Sequence, residues 1–410
     1  MGRALLLAVL LTGLTTFMFL PLLAVQLTAQ GLKADRVGIL VGLLAFCGQG
    51  FSLVSGLIVD RFGTKAVLTS GFALRIAGYL LLGLGFTGES PLAPLVAGIV
   101  AIGIGGSLLG LSIKTLLVRQ DSVSPREMLA LRSTFVNLGV VVGPALGAVV
   151  YPIGFRYILG ACVASHLSLG LWLALRLPRQ VQVQVQVQVP VAMPAPVAGG
   201  PKPAPAGDDD EAPGAPEPGP TPWARWQWVP LFGIGVAFWA IYSQLNVVLP
   251  IAATELTGSA AAISVVFTLN GALVVLFQYT LLRHVFRSAA TRSLLVIGFL
   301  AFAFGYALLV AFGGWTALLA FVLPITLAEM LIAPSLDEQA IEAASPQRTG
   351  LALGTMSAAG ALGSLLGSGM GGYLMQSFRG DGTLWVVISC LSAVAAASCY
   401  LLPKGRTQHA

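Results

Sequence analysis

Apolar stretches of about twenty residues recur twelve times along the chain, at 4–28, 36–59, 66–87, 92–118, 128–152, 155–177, 228–252, 261–283, 293–312, 316–338, 350–377 and 384–403. A bilayer core about 30 Å thick is crossed by about 20 residues of helix, so each stretch predicts one membrane span. The first, with Arg3 ahead of it, has the outline of a signal peptide. It is too long for one, and no small-x-small cleavage site precedes Gln30, so it is read as a helix. Between the sixth and seventh stretches the pattern changes. Residues 180–189 alternate Gln and Val, and 190–222 carry eleven prolines and the acidic run Asp208, Asp209, Asp210 and Glu211. The alternation would suit a strand, but a lone strand has nothing to pair with. Proline at that density predicts extended chain without a core. The expected organisation is a six-helix bundle at 1–178, a disordered cytoplasmic linker at 179–225 and a second six-helix bundle at 226–410. Trp223, Trp226 and Trp228 mark the return to the membrane interface.

Composition agrees with that pattern. Charged residues make up 9% of the 410, against about 25% in soluble proteins, and mean hydropathy is +0.88. A soluble enzyme with a charged surface is excluded, as is a disordered scaffold. The net charge of +6 comes from basic residues set singly at span ends rather than in runs, which excludes a nucleic-acid surface. Cys47, Cys162, Cys390 and Cys399 all lie in apolar segments with no CxxC pair or metal-ligand spacing, and are read as free buried thiols.

With the N-terminus inside, 16 of the 22 Lys and Arg fall on cytoplasmic ends and loops. Four fall outside (Lys33, Arg36, Arg156, Arg379), and Arg75 and Lys114 lie within spans. The positive-inside rule therefore puts both termini in the cytoplasm.

The halves read as copies. Leu20-Pro21 through Thr28 matches Leu249-Pro250 through Thr257 at five of nine positions. The run from Gly71 in the third span matches that from Gly298 in the ninth, and Gly139, Gly143, Gly147 in the fifth match Gly363, Gly367, Gly371 in the eleventh. The offsets of 229, 227 and 224 residues keep the elements in order, so the chain is a duplicated six-helix unit. Two parallel repeats joined by a linker are an alternating-access architecture, with a substrate site between halves near the bilayer midplane.

After the second span comes Gly56-Leu57-Ile58-Val59-Asp60-Arg61-Phe62-Gly63-Thr64-Lys65. Gly56 permits close helix approach, Gly63 a tight turn, and Asp60 suits a neighbouring helix N-terminus. This segment resembles the G-x3-D-R-x-G-x-K signature of the major facilitator superfamily, which implies a cytoplasmic latch between halves. In the fifth span, Gly139, Gly143, Pro144 and Gly147 resemble the motif that this superfamily's drug–proton antiporters carry, alongside the plain alternative of helix packing. Phe17 and Pro21 extend the likeness to twelve-helix multidrug exporters. The chain departs from that type in having no acid in the first span and no arginine in the fourth. Gly367 to Gly372 spells GxGxxG, but no strand precedes it and it lies mid-membrane, so it is not a nucleotide site. No Walker loop is present, and no cofactor is expected beyond a proton gradient as energy source.

A charge inside the membrane is costly and so marks a functional hypothesis. Glu329, thirteen residues into the tenth span, is the candidate proton carrier, against a structural pairing with a neighbour. Asp337, Glu338 and Glu342 are read as solvated. Arg75 is read as a partner of Asp60 or a snorkelling cation rather than a substrate contact. Lys114 either snorkels, counters a carboxylate or faces the cavity. Further cavity candidates are Phe17, Pro21, Gln49, Asn137, Tyr242, Asn246 and Asn270, with Gln244 and the aromatic residues Phe19, Phe238 and Trp239; His166 is read as structural. The expected protein is a secondary-active, proton-coupled exporter of amphiphilic or cationic organic compounds. It would be a monomer of the bacterial inner membrane with small molecule, proton and lipid as partners, no nucleic acid and no metal. A symporter or facilitator for a small solute such as a sugar is the alternative, and a transport-inactive sensor a weaker one.

Overall fold

In a computed structural model the described residues are 2–87, 92–118, 125–176, 228–286, 289–344, 349–378, 380 and 382–402. The linker at 179–225 lies outside them. The helices are α1 (Gly2–Ala29), α2 (Ala34–Gly50), α3 (Ser52–Phe62), α4 (Thr64–Gly85), α5 (Leu92–Val118), α6 (Pro125–Val150), α7 (Phe155–Arg176), α8 (Trp228–Tyr242), α9 (Val248–Thr257), α10 (Ala262–Thr280), α11 (Thr291–Ala311), α12 (Gly314–Ala343), α13 (Thr349–Ser377) and α14 (Thr383–Ser398). They make up the twelve expected spans. The second is α2 continued by α3, and the seventh is α8 continued through a 3-10 turn (Ser243–Leu245) into α9. In hydrocarbon every backbone polar group must be satisfied within the segment, and an all-helical chain does this. Hydroxyls in the spans follow the same logic: Thr12, Thr15 and Thr16 bond back to carbonyls of α1, four residues earlier, at 2.6–2.9 Å.

Glycine ladders set the packing inside each half. Along α6, Gly139, Gly143 and Gly147 lie against the α1 backbone from Gly13 to Met18. Along α13, Gly363, Gly367 and Gly371 lie against α8 and the turn after it, at Val236, Ala240 and Gln244. The fifth-span motif and its eleventh-span copy are thus the same device used twice, bringing two backbones together where a side chain would hold them apart. Gly71 and Gly78 of α4 do the same against α5.

Eight spans among the described residues are long and apolar enough to cross a membrane on those criteria alone. The other four, the second, fifth, eighth and eleventh, pack across the divide, α2 against α13 and α6 against α10. Gly38 and Gly42 of α2 meet Ser368 and Leu365 of α13, Gly372 meets Ala34, and Gly50 meets Ala361. Gly271 of α10 meets Val140 and Val141 of α6. This seal runs from the face opposite the termini to mid-depth. Beyond it the described residues show only a slight contact between α3 and α13.

The duplicated prolines have different local outcomes. Proline has no amide to offer the carbonyl four residues earlier. Around Pro21 α1 stays continuous, whereas ahead of Pro250 the helix breaks, with Val247 at φ −118°, ψ −68°. All four cysteines are free, but only Cys162 and Cys399 are buried; Cys390 faces outward and Cys47 is half-buried, because apolar spans have a lipid face as well as an inner one.

Placing a bulky side chain in the ladders breaks the close approach. A Cβ at Gly143 would lie 2.7 Å from the Leu14 carbonyl oxygen and 2.9 Å from the Phe17 Cβ, both too close. Gly143→Leu should therefore cost at least about 1–3 kcal/mol of overpacking, read as a lowered thermal unfolding midpoint of the detergent-solubilised protein. An outward substitution such as Gly160→Leu, where a Cβ meets nothing within 4 Å, is the control and should leave that midpoint in place.

Candidate substrate cavity

A cavity of about 460 Å³ lies between the halves, within the range of small-molecule sites. Its first-half wall is built from α1, α2, α4 and α5, and includes Phe17, Gln49, Arg75 and Thr16. The second-half wall comes from the seventh, eighth and eleventh spans and includes Trp239, Tyr242, Ser243, Asn246, Phe267, Ser364 and Ser368. A smaller side pocket of about 140 Å³ continues along α1, α5 and α6, with Arg75 and Arg132 both on its wall.

Behind the second-half wall sits Glu329. The Tyr242 hydroxyl donates to its Oε1 at 3.1 Å, and the Asn270 amide donates to Oε2 at 3.0 Å and to Thr326 Oγ1 at 3.1 Å. Three spans therefore meet at one carboxylate. Tyr242 joins it to the cavity because it also lines the wall, at the point where α8 gives way to the 3-10 turn. Two neutral donors hold the group, an acceptor-only arrangement that suits a carboxylate.

Of the residues expected from the sequence, Phe17, Gln49, Tyr242 and Asn246 line the cavity, as do Phe19 and Trp239. Asn270 is buried behind it on Glu329. Four expectations move elsewhere. Pro21 is buried inside α1, and Phe238 packs against Trp239, Tyr242 and Phe302 rather than facing the cavity. Asn137 is half-buried on α6 and lines neither the central cavity nor its side pocket. Lys114 is exposed and lies within electrostatic reach of Asp337 on α12 of the other half, the carboxylate-countering alternative of its three. Gln244 is buried and donates to the Gly367 carbonyl at 2.9 Å, tying the seventh span to the eleventh. His166 is buried, its Nδ1 2.8 Å from the Cys162 carbonyl, in keeping with a structural residue.

Arg75 differs most from expectation. It does not snorkel: it is 6% exposed, lines the cavity, and donates from Nη2 to Thr16 Oγ1 at 2.9 Å, while the Asp60 side chain, its other expected partner, lies outside the described residues. A span that is apolar all round does not reveal which side faces in. Thr16, Ser243, Ser364 and Ser368 were missed for the same reason, and the adjacent pair Thr15-Thr16 within an apolar span was the available signal for the first. In the loop motif, Gly63 is the single residue between α3 and α4, at φ +80°, ψ 150°. The exposed Arg61 guanidinium lies 5.6 Å from the Phe62 ring, and Lys65 is half-buried. The side-chain positions of Gly56 and Asp60 lie outside the described residues. Among the described residues no group of three or more His, Cys, Asp or Glu is placed to hold a metal ion.

The family model described as Major Facilitator Superfamily matches residues 5–245 and again 230–410. The chain belongs to the major facilitator superfamily. It is a membrane transporter with two six-helix halves, not an enzyme. Among superfamily relatives, Multidrug resistance protein MdtH of Aeromonas hydrophila is 26% identical over 400 residues, 96% of this chain and 92% of the relative. An uncharacterized MFS-type transporter of Mycobacterium tuberculosis is 31% identical over 141 residues, so this chain spans about a third of that relative's length. A crystal structure of a POT family transporter in complex with a thioalcohol-conjugated peptide superposes with a TM-score of 0.76 at 15% identity, covering 98% of this chain and 95% of that one. At that identity the likeness concerns the major facilitator fold alone.

Two substitutions test the local geometry. Gly63→Ala forces a β-carbon into a conformation held almost solely by glycine, at a cost of about 1–3 kcal/mol; the thermal midpoint should fall, whereas Thr69→Ala on the exposed face of α4 should leave it. Asn270→Val removes a donor from the half-buried Glu329 carboxylate, at about 1–3 kcal/mol, and should lower the same midpoint.

Proposed function

We propose that the protein is a proton-coupled exporter of amphiphilic organic compounds, cations included, working between the cytoplasm and the outside of a bacterial inner membrane. The observation that carries this reading is the Glu329 carboxylate held one side chain behind the cavity wall, with Tyr242 shared between the two. A compound seated on Tyr242 and a proton on Glu329 then compete through one hydroxyl. Support comes also from the full-length relative named as a multidrug resistance protein, and from a cavity that mixes Phe17, Phe267 and Trp239 with a few polar groups.

On this reading the halves open first toward the cytoplasmic face, the side to which the distribution of Lys and Arg assigns the termini. The compound enters from there. The halves then close that face and part on the other, and the compound leaves. Protonation of Glu329 from outside removes its charge, weakens the hold on a cation and favours the return. One proton moving down 100 mV supplies about 2.3 kcal/mol, enough for roughly fiftyfold accumulation. The latch role of Asp60, with Gly56, Arg61, Gly63 and Lys65, belongs to the same cycle, holding the cytoplasmic ends together while the outside is open. The proline-rich segment 179–225 joins the two halves in sequence.

The test is dye movement in proteoliposomes under an imposed pH gradient. Wild type should export a fluorescent cationic dye and Glu329→Gln should lose gradient-driven movement while still equilibrating the dye. Gradient-driven export that survives in Glu329→Gln would remove Glu329 from the coupling. A wild type that moves no dye under any gradient would overturn the exporter reading.

A further inference from the structure

The unused charge in this cavity is Arg75. It stands twelfth of the 22 residues of α4, at mid-membrane, where a lone cation is most costly. The spans of its own half offer it no counter-charge at its depth: α1, α4, α5 and α7 contain no Asp or Glu, Asp35, Asp60 and Glu127 stand at the ends of their spans, and Glu89 and Asp121 fall between spans. Among the described residues it forms no ion pair, and Glu329 across the cavity is held by Tyr242 and Asn270. A guanidinium has five N–H donors. One goes to Thr16, and Nε has no partner although it is buried.

The surroundings hold the group in place rather than neutralise it. Gly105 of α5 leaves a slot in which a Cβ would strike the Arg75 side chain. The Tyr79 ring lies 5.7 Å from its guanidinium carbon, and Thr16 fixes one nitrogen. The result is an oriented cation with donor capacity to spare on the wall of a mostly apolar cavity. The Arg132 Nε, on the side pocket that leads to it, is likewise without a partner. A buried cation of this kind is stabilised by an oxyanion that matches its planar fork.

We propose that Arg75 docks an anionic group of the transported compound, a carboxylate in the simplest case, so that the preferred substrates are zwitterionic or acidic aromatic amphiphiles. This deepens the exporter reading and rests on it for the word substrate. The aromatic body lies against Phe17 and Trp239, the carboxylate meets Arg75 in the first half, and any cationic end faces the Tyr242 wall in the second. Binding both ends draws the two halves together across the cavity.

The experiment compares a rhodamine dye as its free carboxylic acid, a zwitterion, with its methyl ester, a cation of nearly the same shape. Binding is read by fluorescence polarisation on the purified full chain in detergent, in chloride-free buffer. Wild type should bind the acid about tenfold more tightly than the ester, the worth of one charge-assisted hydrogen bond. Arg75→Gln should bring the two dyes within about twofold by weakening the acid alone, and Arg75→Lys should keep part of the preference. Should Arg75→Gln not yield a monodisperse protein, Thr16→Val, which leaves the charge and removes the hydroxyl that aims it, should reduce the preference severalfold. Equal affinities in wild type, no binding of either dye, equal weakening of both by Arg75→Gln, or a preference that ignores these substitutions would overturn the assignment. Loss of gradient-driven export with the acid preference intact would sink the exporter reading and leave this one standing.

Discussion

Backbone-to-backbone contact at glycine is the interaction on which this structure depends. Inside a bilayer the lipid tails are as apolar as leucine, so burying a leucine between helices yields no hydrophobic gain. Close approach has to supply the attraction, and it is available only where side chains are absent. The ladders of α6 and α13 place α1 and α8 at the cavity edge, and the contacts of Gly38, Gly42 and Gly372 hold the two halves at one face. The cavity is what remains where such contacts stop.

Much of this was legible in the chain. Eight of the described spans are marked by length and apolarity alone, and the apolar stretches between them point to the other four. The repeats at Gly139 and Gly363 were visible because a packing surface made of absent side chains leaves a periodic mark. Glu329 was legible as an outlier, a carboxylate in the middle of an apolar span. The seventh-span break was not foreseen, although Pro250 announces it, because Pro21 in the same context leaves α1 unbroken. Tertiary packing around the two copies decides which of them yields.

The misreading of Arg75 has a different origin. Position along the chain fixes depth in the membrane but not azimuth around the helix, and an all-apolar span has no polar face to orient it. The missing piece was in neighbouring helices: α1, α5 and α7 hold no carboxylate, while α5 thins to Gly105 and Gly106 beside the arginine. A cation with space beside it and no carboxylate on the neighbouring helices is a property of several helices together. Asn137 shows the converse, a polar residue in a cavity-forming span that faces elsewhere.

The duplicated prolines carry one more consequence. Pro21 lies inside α1 and withholds an amide from the carbonyl of Phe17, a residue that lines the cavity, whereas Pro250 is third in α9, where a helix has no such bond to lose. The same residue thus loosens the middle of one helix and merely begins another, so a duplication that repeats the sequence need not repeat the backbone.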